Sequence, residues 1–365
     1  MFLRMPDTPR MDLVRRYRLG DASPARVCVD PARLRVVVAS ERAVHCYAYG
    51  RYADRLFTVR VATNDAIQSL ATIPTPQGED IAFGTRAGKV CVLNGEGFLV
   101  AERQVAPAGV PGRPHAIWHL SAGQADGRVL LCACAREAGV YLLDAQARVQ
   151  ALLPVPASML HADMREAGGR PWLAGGVAGR REVYVWDLRD VLLRRDATPY
   201  AVLRGGAAPA FATRIVAPDG QTLVAHGSWD GRVYVYALPR ERTTRVVKPR
   251  AVLHAGNPLY ALATAQVGER TFLFAGTERG QVFGWDLRDL RRAAPAFGAP
   301  SFGSAIKALH AVQVGPAREP VLLAGTRDGQ CQLLQPASRE SARRAILRVE
   351  PGEGEIRGLA VYEAG

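Results

Sequence analysis

Apolar and polar positions alternate along the chain in short runs, broken every few residues by glycine, proline or aspartate. Strict alternation over four to eight residues between turn residues predicts strands. One pattern recurs: an apolar strand ending in small residues, a tight turn, then a second alternating strand. The clearest copies are HGSWDGRVYVYAL at 226–238, AGTERGQVFGWDL at 275–287 and AGTRDGQCQLLQ at 324–335, whose shared Gly227, Gly276 and Gly325 lie 49 residues apart. Looser copies stand at 84–93, 132–144 and 175–188, and the most divergent, ASERAVHCYAY, at 39–49, which makes seven. A short apolar stretch precedes each hairpin (67–71, 260–263, 306–309) and another follows it (56–61, 201–203, 251–253, 345–347). Four short strands per unit cannot bury both of their faces alone. Stacked side by side, such sheets cover one another. The expected fold class is all-β, and the density of 36 Gly and 24 Pro leaves little room for long helices.

Several residues within these units carry a resemblance. Trp186-Asp187 and Trp285-Asp286 end a third strand, Ser228-Trp229-Asp230-Gly231 fills the turn between second and third strands, and HAGNPLYALA begins at His254. In register, the seven units resemble WD40 repeats. That resemblance implies a single seven-bladed β-propeller of four-stranded antiparallel blades over residues 25–365, with 1–24 as a lead-in able to supply a closing strand. Ile356, Leu359 and Val361 resemble the first strand of a further repeat, so eight blades with an incomplete terminal blade is the alternative. The family's network of loop His, strand Ser/Thr, turn Asp and Trp is complete in no unit. The unit with His254, Thr277 and Trp285 has Arg279 in place of Asp, that with Ser228 and Asp230 has Tyr236 for Trp and Gly206 near the His position, and that with Thr326 and Asp328 has Leu334 for Trp. Stability is then expected to come mainly from apolar packing between units.

Length takes on a different meaning beside the repeat. A chain of 365 residues suggests two or three domains, but seven units of about 49 residues make one ring. No apolar run approaches the roughly 18–20 residues of a membrane span, and the first twenty residues lack the apolar core of a signal peptide. Six cysteines, five of them within strand-like runs and without repeating spacing, read as buried thiols of a reducing cytoplasm. Cys132 and Cys134 lack further ligands at metal-site spacing, so neither metal nor cofactor is expected. The net charge of +13 is carried almost wholly by arginine, with lysine only at 89, 248 and 307. Beside abundant Ala, Gly and Val this reads in part as the codon bias of a GC-rich bacterium.

Position therefore matters more than total charge. Six of the seven turns between second and third strands carry arginine: Arg42, Arg86, Arg136, Arg180 with Arg181, Arg279 and Arg327. In a WD40-like ring these turns share one face, where guanidinium groups grip carboxylates or phosphates. Each also has an acid close by in sequence (Glu41, Glu137, Glu182, Glu278, Asp328), which would neutralise it locally. A second basic group follows the third strands and would lie on the opposite face, including Arg194, Arg195, Arg242, Arg245, Arg291 and Arg292. Neither a nucleophile elbow, a zincin motif, a Walker A loop nor a kinase signature is present, and no paired carboxylate accompanies His119, His161 and His310, which are placed to line a channel. The chain is read as a non-enzymatic interaction scaffold or regulatory subunit that docks a protein with an acidic surface, without a membrane, in a bacterial signalling or defence complex. The alternative is a binder of nucleic acid or another anionic ligand through the turn arginines. It ranks lower because aromatics make up 7% of the chain and most sit in predicted core strands.

Overall fold

The computed structural model describes residues 65–76, 78–107, 115–298, 301–314 and 319–328, together with eight strands outside those spans. The chain is all-β: thirty-one strands, one short α-helix and one 3-10 turn among the described residues. The strands form seven sheets of four or five strands, and none of them closes on itself. The second, third and sixth sheets are meanders of four consecutive strands, and the fifth is a four-stranded meander interrupted before its last strand. The second, for example, runs Ile67–Thr75, Gly78–Thr85, Lys89–Leu93, Leu99–Gln104. The expected hairpins and their flanking strands all appear in register.

The first strands of successive sheets pack against one another: Ile67–Thr75 on Ile117–Ala125, then Met159–Ala167, Ala210–Val216, Leu259–Val267 and Ile306–Val314. Between sheets lie six apolar clusters, each built from two neighbours. The cluster between the fifth and sixth sheets joins Val233, Val235 and Leu253 to Leu262, Leu273 and Trp285. The packing expected in place of a complete polar network is therefore present.

Both ends of the chain enter sheets begun elsewhere. Gly358–Val361 lies parallel to Pro24–Asp30 in the first sheet, with Val27 opposite Leu359, and also packs against Ile306–Val314 of the seventh. It begins no eighth sheet. Met11–Arg18 lies beside the outer strand of the seventh sheet, Val14 opposite Ile346. The fourth sheet gains Val246–Val247 in parallel to Ala201–Arg204, lent by the connection that leads to the fifth sheet's last strand.

The repeated glycine has a steric cause. A Cβ on Gly276 would stand 2.4 Å from Ile306 Cγ2, and one on Gly84 would stand 2.5 Å from Ile117 Cγ2. In each case the neighbour is the first residue of the next sheet. The repeat spacing thus records where one sheet's second strand meets its successor.

The WD dipeptides act differently from the family's network. Trp186 Nε1 donates to Ala197 O at 2.9 Å and Trp285 Nε1 to Ala293 O at 3.1 Å, so each indole anchors the connection after its own strand. Asp187 caps the helix Leu188–Leu193 by accepting from Arg189 N, and Leu188 and Val191 of that helix fill the gap between third and fourth sheets. What reads as a long loop thus contains a six-residue helix. His254 is exposed rather than part of a network. In the fifth sheet a substitute has arisen: Tyr234 OH donates to Asp230 Oδ2 at 2.7 Å. Gly206 makes the room, because a Cβ there would stand 2.9 Å from Tyr234 Cε2.

Candidate functional site

Every sheet's first strand carries one extra residue near its start, where pairing with the second strand skips a position: Ala25, Gln68, Trp118, Leu160, Phe211, Tyr260 and Lys307. Such bulges re-aim a side chain out of the ladder. In the six sheets whose turn between second and third strands is described, that turn lies beside the bulge and is tied to it by one recurring bond. Arg86 N donates to Ala66 O, Arg136 N to Ala116 O, Trp229 N to Pro209 O, Glu278 N to Pro258 O and Arg327 N to Ala305 O. In each of these six sheets two positions are thereby brought together on one face, a bulge residue and a turn residue.

This register reorders the turn arginines. Arg86, Arg136 and Arg327 occupy equivalent positions. Arg279 stands one residue later and Arg180 two residues later than the bonded position, which Glu278 and Ala178 fill. Arg42 lies outside the described residues. The local acids take some of this charge: Arg136 pairs with Glu137 at 3.6 Å and Arg180 with Glu182 at 3.8 Å. Arg136 also covers the Trp118 ring, 5.2 Å from its centroid. Arg86, Arg181, Arg279 and Arg327 are exposed.

The fifth, sixth and seventh sheets combine these positions into one cluster. Phe211 stacks on Trp229 with centroids 5.7 Å apart, meets Tyr260 edge-on at 5.2 Å, and the Lys307 ammonium lies 3.5 Å from the Tyr260 centroid. Tyr260 OH bonds Glu278 Oε1 at 3.4 Å. Burial and Glu278 raise the Tyr260 phenol above its ordinary value, against the opposing pull of Arg327 beside it. Trp229 is 46% exposed. The expectation that most aromatics are core holds for Trp186, Trp285 and Tyr260, while Phe211 is half-buried and Trp229 stands out of the core. Sequence alternation missed this cluster because a bulge breaks the period of two that identifies which residues share a face. The run of aromatic and cationic residues one place into three successive first strands, Phe211, Tyr260 and Lys307, was the available signal.

The second basic group is largely spent within the fold. Arg194 pairs with Asp190 at 2.9 Å, Arg242 bridges Asp190 and Asp196, and Arg292 lies 3.8 Å from Asp289. Arg195 donates to Gln150 O at 3.1 Å. Arg245 and Arg291 are exposed without an acidic partner among the described residues. The neighbouring Arg189 and Arg288, which follow the two WD dipeptides, each reach back to the preceding sheet, to Asp126 and Asp219.

The histidines of the first strands are held as staples between sheets. His119 Nε2 bonds Ala162 O at 2.9 Å, and its ring lies 4.2 Å from that of His161. His161 Nδ1 accepts from Thr213 N at 3.3 Å. Farther along, Asp163 receives Arg214 Nη1 at 2.7 Å and Ile215 N at 2.8 Å, while Arg214 Nε donates to Leu262 O at 2.9 Å. His310 lies in the Ile306–Val314 strand, apart from any group of three metal-ligating side chains among the described residues.

Two imidazoles must stay neutral in this fold. Burial, with His119 and Arg214 adding repulsion, pushes His161 well below its ordinary value. Burial likewise lowers His226 to about 4, against a small opposing pull from Asp230; its ring lies between Tyr234 and Tyr236. Below about pH 6.5 the unfolded chain takes up protons that the folded chain refuses, so stability falls as pH falls from there towards about 4. For His226 alone the loss is on the order of 3 kcal/mol. Urea midpoints between pH 8 and pH 4 check this, and a flat profile in wild type, or one no flatter in His226→Phe, would contradict it.

The chain matches no protein-family model and no curated protein sequence.

Proposed function

We propose that the seven sheets are the blades of one WD40-like β-propeller, closed where Gly358–Val361 joins the first sheet, and that the ring is a non-catalytic scaffold or regulatory subunit. It docks an acidic partner protein on the face bearing the bulges and turns. The reading extends to a cytoplasmic signalling or defence complex of a bacterium, in keeping with the buried free thiols Cys46, Cys91, Cys132 and Cys134. A rigid ring presents variable side chains on fixed strands, and binding then needs no reacting group.

The observation that carries this reading is the cluster of Phe211, Trp229 and Tyr260 beside Lys307 and Arg327. Trp, Tyr and Arg are the side chains that dominate binding energy at protein interfaces. The three rings touch one another at 5.2–6.1 Å, so no slot opens between them for a nucleobase. That favours a protein over nucleic acid. The histidines, being bonded to neighbouring strands, serve packing rather than proton transfer.

The test is reconstitution of the complex with a partner that co-purifies at equal stoichiometry. Trp229→Ala is expected to weaken it by about 2 kcal/mol, roughly thirtyfold. Salt-sensitive oligonucleotide binding lost in the same variant would shift the function to nucleic acid. Turnover of any substrate abolished by His119→Ala or His161→Ala would overturn the non-catalytic reading.

A further inference from the structure

Successive residues of a strand point to opposite faces, and in the fifth sheet this sorts polar side chains onto one side. Ala212, Ala225, Val233 and Val235 face the sixth sheet. Their alternates Thr213, His226, Tyr234 and Tyr236 face the fourth, with Thr213 opposite His226 and His226 opposite Tyr234. Seven buried side-chain nitrogen or oxygen atoms among the described residues have no hydrogen-bonding partner in the protein. Four of them are here: Thr213 Oγ1, both ring nitrogens of His226 and Tyr236 OH. All three residues are 0% exposed, so bulk solvent does not reach them.

The fourth sheet cannot supply the bonds. It brings Ala174, Val183, Val185, Ala201 and Leu203 to this boundary. Its two polar rings are already engaged, Trp172 Nε1 on Ala167 O and Tyr200 OH on Pro239 O. Tyr234 OH is engaged on Asp230. Polar groups left buried and unbonded carry their full desolvation cost, which buried water relieves elsewhere in proteins.

We propose that water is bound between the fourth and fifth sheets as a permanent part of the fold, bridging His226 to Thr213 and completing Tyr236. The chemistry of the three groups selects this ligand. A neutral imidazole has one donor and one acceptor nitrogen, and a hydroxyl both donates and accepts. A cation would serve only the lone pairs and an anion only the hydrogens, whereas water serves both. Asp230, the carboxylate whose charge reaches His226, is already held by Tyr234 OH and by the amides of Ala207 and Arg232. The geometry agrees. Directly opposed residues of an antiparallel pair have Cβ atoms about 4.5–5.5 Å apart, a gap one water can span. The Tyr234 and Tyr236 rings lie nearly parallel to that of His226, at 5.1 and 5.5 Å between centroids, so they cover its faces without bonding the nitrogens at its edge.

The experiment joins a crystal structure of the full chain to urea denaturation of two near-isosteric variants. Density for a water about 2.7–3.2 Å from a His226 nitrogen and from Thr213 Oγ1 is the expected result. Thr213→Val and Tyr236→Phe each delete a hydroxyl and little else. Each should raise the unfolding equilibrium constant at least about threefold, because a bond that the folded chain makes is lost. Thr213→Val should cost less in a His226→Phe background than in wild type, since both residues share the water. Unbonded hydroxyls would give the opposite sign, with the variants as stable as wild type or more so, and that result would overturn the inference. So would a crystal structure in which Thr213 bonds His226 directly.

Discussion

Replacing Asp163 with alanine is expected to destabilise the protein by about 3–5 kcal/mol, the usual cost of stripping one partner from a buried ion pair. Asp163 is 4% exposed and both of its oxygens are engaged, one by Arg214 and one by the amide of Ile215. Burial would raise its carboxyl, but the Arg214 and Arg165 guanidiniums and the Ile215 bond outweigh it and hold the group below the ordinary carboxylate value. Alanine leaves the Arg214 cation in place with one bond, to Leu262 O, and orphans the Ile215 amide. Those atoms belong to the fourth, fifth and sixth sheets, so the damage falls on a junction of three. Denaturation by urea measures the loss. Asp163→Leu combined with Arg214→Met should recover most of it, because apolar residues of similar volume carry no desolvation cost. A loss under about 1 kcal/mol for Asp163→Ala would mean that water reaches the pair and that the junction is held by other contacts.

Valine at Gly276 is the second large expected effect, about 1–3 kcal/mol from overpacking. The cause is steric alone, since Gly276 is ordinary strand backbone opposite Ala261 and lies outside the left-handed region. Its missing Cβ is the space that Ile306 fills, with Ile306 Cβ only 2.7 Å from where a side chain would begin. Ile306 is fully buried and branched at Cβ, so it has no flexible end to withdraw. The check is a double-mutant cycle. Gly276→Ala and Ile306→Ala should each destabilise, and together they should cost less than their sum, by 0.5 kcal/mol or more. Strict additivity would show that the two sheets do not meet there.

Much of this architecture was legible from the chain alone. The hairpins at 226–238, 275–287 and 324–335 follow from alternation and turn residues, which are local properties. Their spacing revealed the repeat because these three units share a glycine at one position, where the first and third sheets have Ala39 and Cys134. The polar network could be declared incomplete from sequence, but its replacement could not. Tyr234 reaches Asp230 only because Gly206, 28 residues earlier, stands across from it. Likewise the acids that take up the second basic group could not be paired with it from sequence. Arg242 is 52 residues from Asp190 and 46 from Asp196 in sequence but beside them in space.

The turn arginines show the same division. Their presence in six turns was readable, but their register was not, since Arg86, Arg136 and Arg327 are equivalent only by virtue of a bond to the residue ahead of each first strand. A sequence by itself determines where strands begin and turn, because alternation and glycine act over a few residues. It also determined that seven such units recur and that arginine crowds their turns. Only the tertiary structure decided which arginines are spent on neighbouring acids, which aromatics leave the core, and that Phe211, Trp229, Tyr260 and Lys307 meet. The physical reason is the bulge: one extra residue rotates a side chain from its expected side of the strand, and its new neighbours come from sheets some fifty residues away.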